Sequence, residues 1–385
     1  MPWKWSARPS RRGGACPLFS REERLLSRMA KITGPVTGGV DTHADAHVAA
    51  VIDQVGRVLG TESFPADEAG YARLLSWLRR HGALARAGVE GTGSYGAGLA
   101  CYLAAQGVEV LEVPRPDRAR RRRHGKSDPV DAVSAALAAL SGEDCSTPKA
   151  RTGAAESIRA LRVARGGAIK ARTQAANQLR DLITCAPGPV RAPLAALSTP
   201  RRVRAAAAFT CGDPADPAEG AKAAMASVAA RWLDLDAEAT RLETAISALV
   251  AQVAAPAYLA RTGVGPQSAA ALIAIAGDNP GRITREAAFA ALCGVSPVDC
   301  SSGKHQRHRL NGGGDRQGNT ALWRIAVTRI QHDPATQEYY ARRTAAGKTR
   351  KEIIRELQRY AAREAYRDLI RPGFLTTAPP PVQAA

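Results

Sequence analysis

Four carboxylates in the first third of the chain have the types and spacing to do chemistry: Asp41, Glu90, Asp128 and Asp131. Asp41 closes the run Gly38-Gly39-Val40 and Glu90 closes Ala87-Gly88-Val89, so each reads as the last residue of a strand reaching a sheet edge. Asp128 and Asp131 follow Ser127, a residue type favoured at helix N-caps, and precede an apolar run at 133–137. Residues three apart share a helix face, so these two carboxylates point the same way. Brought together, four acids repel unless a divalent cation neutralises them, and hard oxygen ligands suit Mg²⁺. Two such ions would activate one phosphate oxygen and stabilise another. Any one of these acids alone reads better as a helix cap or a solvated group. The ordered set of strand, strand, helix, helix reads as a metal site.

The elements that must position the acids follow a recognisable order. After the Asp41 strand come a buried strand at 48–52, a turn at 53–56 and a third strand at 57–64. Tyr71, Leu74, Leu75 and Leu78 keep helical spacing, and the Glu90 strand, a helix over 99–105 and a strand at 108–113 succeed them. Three strands, alternating helices and strands, then an acid-bearing helix is the order of a ribonuclease-H-like α/β domain. Gly91-Thr92-Gly93-Ser94-Tyr95-Gly96 matches the G-x-G-x-x-G pattern, but it follows the fourth strand with no phosphate-loop lysine. Those glycines are read instead as letting backbone approach the metal pocket. His43 and His47 do not share a helical face if they lie on a strand, and both are read as structural or solvent-facing.

Charge points to the partner. Lys and Arg number 54 against 35 Asp and Glu, a formal charge of +19. Such a surplus favours a polyanion, and nucleic acid is the obvious one, although a GC-rich genome also raises arginine content. No apolar stretch is long enough to span a bilayer, so no membrane partner is expected. The 7 cysteines form no C-x-x-C pair, which argues against a zinc ribbon or disulfide framework and for the reducing cytoplasm. Arg118, Arg120, Arg121, Arg122, Arg123 and Lys126 precede the Asp128 helix and read equally as a solvated run or as contacts to backbone phosphates.

The chain parses into five stretches. Residues 1–28 are basic, lack a signal-peptide core and read as a disordered extension ahead of Met29. Residues 36–142 form the acid-bearing domain. Residues 150–255 are helical and alanine-rich; Leu235, Ala239, Leu242, Ile246, Leu249 and Val253 step 4-3-4-3-4 as in a heptad seam. That seam fits an intramolecular hairpin or a dimerisation arm, and the arm is the favoured reading. Residues 256–370 form a second compact, mainly helical region, and 371–385 a disordered Pro/Ala-rich tail. In the second region Thr262-Gly263-Val264-Gly265-Pro266 resembles the hairpin of a helix-hairpin-helix element, whose backbone N–H groups meet phosphate. Ser301 and Ser302 abut Gly303, with Lys304, His305, Arg307, His308 and Arg309 behind them. On spacing alone this is a turn; with a base or metal nearby, a serine there is a candidate nucleophile in a cationic setting.

Taken together these motifs resemble the transposases of the insertion sequence 110 family, the DEDD recombinases that include the Piv invertase. The resemblance spans roughly residues 38–368. It rests on Val40-Asp41-Thr42-His43, Val89-Glu90-Gly91-Thr92-Gly93-Ser94-Tyr95 and Lys126-Ser127-Asp128-Pro129-Val130-Asp131-Ala132. Downstream it rests on Gly263-Val264-Gly265-Pro266, Leu292-Cys293-Gly294-Val295-Ser296-Pro297 and Ser301-Ser302-Gly303-Lys304. It implies a RuvC-like domain, a helical coiled-coil region and a C-terminal transposase domain. It implies Mg²⁺ held by Asp41, Glu90, Asp128 and Asp131, and Ser302 as the nucleophile that forms a covalent phosphoserine, with Ser301 as second choice. The expected partners are donor and target DNA, a bridge non-coding RNA and further copies of the chain in a dimer or tetramer. The expected location is the bacterial cytoplasm, nucleoid-associated when bound to DNA. The main alternative is a RuvC-like metal-dependent nuclease or junction resolvase using activated water, which would leave free ends and no protein-linked strand. A non-catalytic nucleic-acid-binding protein would keep its binding when any acid is lost.

Overall fold

The computed structural model describes residues 34–114, 127–303, 308–309 and 311–371. The calls on 1–28, on the basic run at 118–126, on Lys304, His305 and Arg307 and on the tail after 371 lie outside these residues. The chain divides into two compact units, residues 1–148 and 149–385.

The first unit is a mixed α/β sheet with helices on both faces. Its elements are β1 (Pro35–Thr42), β2 (Ala46–Ile52), β3 (Val58–Pro65), α1 (Glu68–Arg80), β4 (Ala83–Glu90), α2 (Ala97–Ala105), β5 (Glu109–Val113) and α3 (Asp128–Ser141). The strand order is β3-β2-β1-β4-β5. β1–β2 and β2–β3 pair antiparallel, as a meander with short turns allows, whereas β1–β4 and β4–β5 pair parallel through the crossovers α1 and α2. This is the order and sense expected of a ribonuclease-H-like sheet. β1 is central and covered on both faces, so its side chains are small or apolar and buried from Val36 to Thr42. α1 starts at Asp67, whose carboxylate accepts the Gly70 N–H at 2.6 Å. It packs Leu74, Leu75, Trp77 and Leu78 against Val36, Val40, Val51 and Val89. Burying each such large side chain is worth about 1.5–3 kcal/mol.

The second unit is helical apart from one short hairpin. It comprises α4 (Ala154–Cys185), α5 (Gly188–Ala195), α6 (Thr199–Ala207), α7 (Pro217–Val253), α8 (Pro256–Leu259), α9 (Pro266–Ala276) and α10 (Glu286–Leu292). There follow β6 (Val298–Asp299), β7 (His308–Arg309), α11 (Arg316–His332), α12 (Pro334–Ala345) and α13 (Arg350–Ala365). α4 and α7 run antiparallel. Leu179 and Ile183 meet Met225 and Ala229 in the core at one end of the pair, and Ile158 meets Ile246 and Val250 at the other. Arg165 pairs with Glu243, and Arg172 with Asp236, along the way.

The heptad seam therefore closes on the same chain. Ala239 and Ile246 are buried, and Leu249 and Val253 pack on the core that α4 shares with α9, α10 and α11. Much of the stripe thus packs within the chain against α4, the intramolecular-hairpin arrangement that the spacing also allowed. Residues 262–266 form a turn rather than a full helix-hairpin-helix, because the helix before them, α8, is one turn long. Gly263 adopts φ +81, and a Cβ there would sit 2.9 Å from the Ile325 carbonyl oxygen, so packing against α11 also requires this glycine.

Candidate metal centre

Parallel pairing of β1 with β4 aligns Val40 with Val89, so Asp41 and Glu90 stand one step further on, at neighbouring strand ends. The strand alternation decides which face they use. A Cβ added to Gly38 would touch the Leu78 side chain of α1, whereas one added to Gly39 would lie 2.1 Å from the Ala136 nitrogen and 2.3 Å from the Ala132 carbonyl oxygen of α3. Asp41, two residues beyond Gly39, shares the α3 face. Glu90 stands likewise two residues beyond Gly88, where a Cβ would meet the Ala135 carbonyl oxygen at 2.6 Å. These two glycines let α3 lie directly on the sheet. The close approach carries the first turn of α3, with Asp128 and Asp131, to the strand ends. Ser127 holds that turn through its carbonyl, which accepts the Val130 and Asp131 N–H groups at 3.0 and 3.1 Å; its hydroxyl makes no capping bond.

Asp41, Glu90 and Asp131 are buried, while Asp128 is half exposed. The structure adds a residue that the sequence reading set aside. His43 Nε2 lies 3.2 Å from Asp41 Oδ2 and 3.5 Å from Asp128 Oδ1. One donor atom from each of Asp41, His43 and Asp128 falls within 4.8 Å of the others. Burial pushes the Asp41 carboxyl above its ordinary value; His43 opposes this, while the Asp131 and Asp128 carboxylates add to it. The Glu90 carboxylate is not one of that trio. Its backbone carbonyl accepts the Thr42 hydroxyl at 2.8 Å, which ties the two strand ends together.

The sequence reading missed His43 because helical spacing was the wrong test. The β1–β2 turn, closed by the His43 N–H on the Ala46 carbonyl at 3.2 Å, returns the imidazole to Asp41. His47 is the structural residue expected, buried and stacked on Tyr71 at 5.6 Å. The glycine reading is also corrected in part. Gly96 does approach the Glu90 carbonyl, with 2.8 Å left for a Cβ, but Gly93 faces open space, and the glycines that admit α3 are Gly39 and Gly88.

Two carboxylates and an imidazole within reach of one point, crowded by a further buried acid, suit a divalent cation, which would offset the repulsion felt at Asp41. Oxygen donors accept Mg²⁺ or Mn²⁺, and an imidazole favours the latter.

In the second unit, β6 and β7 pair Asp299 with His308. The Ser301 N–H donates to Asp299 Oδ1 at 2.8 Å, and the Ser301 hydroxyl donates to the same oxygen, which holds the Asp299 carboxyl below its ordinary value. Ser301 is thus tied into a turn on a carboxylate. Ser302 follows it, exposed. Asp299 carried no signal in the sequence beyond its place two residues before Ser301.

Comparison with known proteins places both regions in one family. A DEDD-type IS110 model described as "Transposase" matches residues 38–186, which include all four acids. A model described as "Transposase IS116/IS110/IS902 family" matches residues 259–341, which include both serines. The chain belongs to the IS110 family. An IS110-family relative from Streptomyces coelicolor, "Insertion element IS110 uncharacterized 43.6 kDa protein", is 36% identical over 121 residues, 31% of this chain. The chain spans 29% of that relative's length.

Proposed function

We propose that this IS110-family protein is a DNA transposase that breaks and rejoins strands with its acid cluster and a serine. The observation that carries the proposal is the convergence of Asp41, His43 and Asp128 at a sheet edge, with Asp131 acting on Asp41, in a chain matched by transposase models at both ends. In this reading Asp41, Glu90, Asp128 and Asp131 hold Mg²⁺ at a RuvC-like centre, and the His43 imidazole stands beside Asp41 and Asp128 as a further donor to the ion. When bound, the ion would neutralise phosphate charge and polarise the scissile phosphodiester. Ser302 is the nucleophile. Its oxygen bonds to phosphorus as the bond to one sugar oxygen breaks; the serine gives up its proton and the departing sugar oxygen takes one up. A phosphoserine link conserves the phosphodiester's energy, so a second sugar hydroxyl rejoins the strand by the reverse step. The tie between Ser301 and Asp299 favours Ser302, because the Ser301 hydroxyl is engaged in the turn.

Donor and target DNA are the proposed substrates, with a bridge RNA as guide and an assembly of two or four chains. The cytoplasm is the proposed location; among the described residues no helix is long and apolar enough to cross a membrane. A water-activating resolvase is the second reading, favoured by an Asp41–His43–Asp128 cluster that is complete within the first unit. The test of the metal site is cleavage of labelled donor-junction DNA in Mg²⁺. Asp41→Asn and Asp128→Asn are expected to bind the DNA but not cut it. Cleavage that survives both changes would refute the site.

A further inference from the structure

In the second unit, α4, α9 and α11 line an open cavity of about 310 Å³ whose walls hold four arginines and no acid: Arg162, Arg165, Arg316 and Arg324. Ordinary packing does not account for so much like charge in one cavity. Arg162 donates to the Gln267 carbonyl at 2.9 Å and to Gln317 Oε1 at 2.7 Å, so it is held in place without an anionic partner of its own. Burial, then the neighbouring Arg165 and Arg324, push its pKa down, and the Asp315 carboxylate only partly opposes them. Arg165 pairs through one terminal nitrogen with Glu243 at 2.8 Å, but its Nε is buried with no hydrogen-bond partner. The Gln267 amide nitrogen is buried and unpartnered as well. Both donors are left without an acceptor among the described residues. Arg316 and Arg324 are exposed at the mouth and make no ion pair among the described residues. Asp315, whose charge reaches Arg162, accepts from the Gln317 and Gly318 N–H groups at the start of α11 and forms no ion pair among the described residues.

Two further observations point outward. α9 begins at this cavity with Gly265 at its N-cap, so no side chain caps its first N–H groups, and its positive dipole end faces the arginines. Gly166, which lines the cavity, and Gly167 sit inside a continuous 32-residue helix, where glycine is less favourable than alanine. A Cβ on either would meet nothing within 4 Å. No neighbour among the described residues requires glycine there.

We propose that this cavity is a phosphate pocket for a nucleic-acid backbone, with Arg316 and Arg324 clasping a phosphodiester, Arg162 and Arg165 lending positive charge behind them, and Gly166 and Gly167 leaving room for the strand. It shares no residue with the serine turn or the acid cluster, and it rests on the proposed function only in that its ligand is nucleic acid. The phosphodiester belongs to DNA or RNA, and the test separates them.

Fluorescence anisotropy of the full chain in EDTA, with a labelled DNA duplex and a labelled RNA hairpin titrated over a range of salt, reads the pocket without the metal site. Arg316→Ala with Arg324→Ala should weaken one probe at least tenfold, and the slope of log K against log salt should fall by about 0.9 per lost phosphate contact on duplex DNA. Gly166→Glu, which sets a carboxylate at the mouth, should do the same by an independent route. Gly166→Ala should melt no lower than wild type, since alanine suits a helix better, and this controls for folding. The weakened probe names the ligand. If wild type binds and every variant binds equally with unchanged slope, the inference fails and the proposed function stands. If wild type binds neither probe, both fail.

Discussion

Gly39→Ala tests how the centre is assembled. The added methyl would lie 2.1 Å from the Ala136 nitrogen, 2.3 Å from the Ala132 carbonyl oxygen and 2.6 Å from the Ala136 Cα. All three are backbone atoms, so no side-chain rotation relieves the clash. Restoring a normal separation of about 3.4–3.5 Å requires α3 to retreat by about 1.3 Å from the sheet. Overpacking of this kind costs about 1–3 kcal/mol, and the backbone partners place it at the upper end. The retreat also moves Asp128 and Asp131 away from Asp41, and so opens the trio of Asp41, His43 and Asp128, whose donor atoms now lie within 4.8 Å of one another. A displacement of about 1 Å in a positioned site costs on the order of 10²-fold in function. Thermal unfolding and Mn²⁺ titration by calorimetry read the two effects separately. Gly93→Ala is the control, because a Cβ there meets nothing within 4 Å. A Gly39→Ala protein with wild-type melting and wild-type metal affinity would refute the argument that this glycine seats the helix.

The other two predictions concern the charges at the same site. The Asp41 carboxyl is raised above its ordinary value of 3.8, chiefly by burial. A raised acid holds its proton more tightly in the folded state, so its stabilising contribution is present below pH 3.8 and is lost as pH rises through the folded value. Asp41→Asn should therefore melt above metal-free wild type by a margin that grows as pH climbs through that window, and added Mg²⁺ should close the gap by stabilising wild type alone; a margin independent of pH would count against it. His43→Ala should reduce affinity for Mn²⁺ more than for Mg²⁺, since the imidazole is the donor that favours the former, and equal losses by calorimetry would show that His43 does not face the ion.

Much of the first unit was legible because its signals are local. Alternation and turn residues mark β2 and β3, apolar spacing at Leu74, Leu75 and Leu78 marks α1, and the acids stand where a strand ends or a helix begins. What was not legible depends on contacts distant in sequence. The reason for Gly39 lies in Ala132 and Ala136, and nothing near Gly39 announces it. His43 joins Asp41 through a turn, which spacing rules for helices cannot register. The heptad over 235–253 was visible as a stripe, but a stripe does not say whose helix covers it, and α4 does. The arginine cavity draws on residues about 150 positions apart, including Arg162 and Arg316, and no motif links them.

The most direct test of the account is a suicide-substrate reaction: the protein with a nicked donor-junction DNA, Mg²⁺ and RNA transcribed from the flanks of its element, resolved by denaturing electrophoresis. The account predicts a protein-linked DNA band that is lost in Ser302→Ala and in Asp41→Asn and is kept in Ser301→Ala. Cleavage with free ends and no linked band, undiminished in Ser302→Ala, would contradict it and assign the chain to water-activating resolvases.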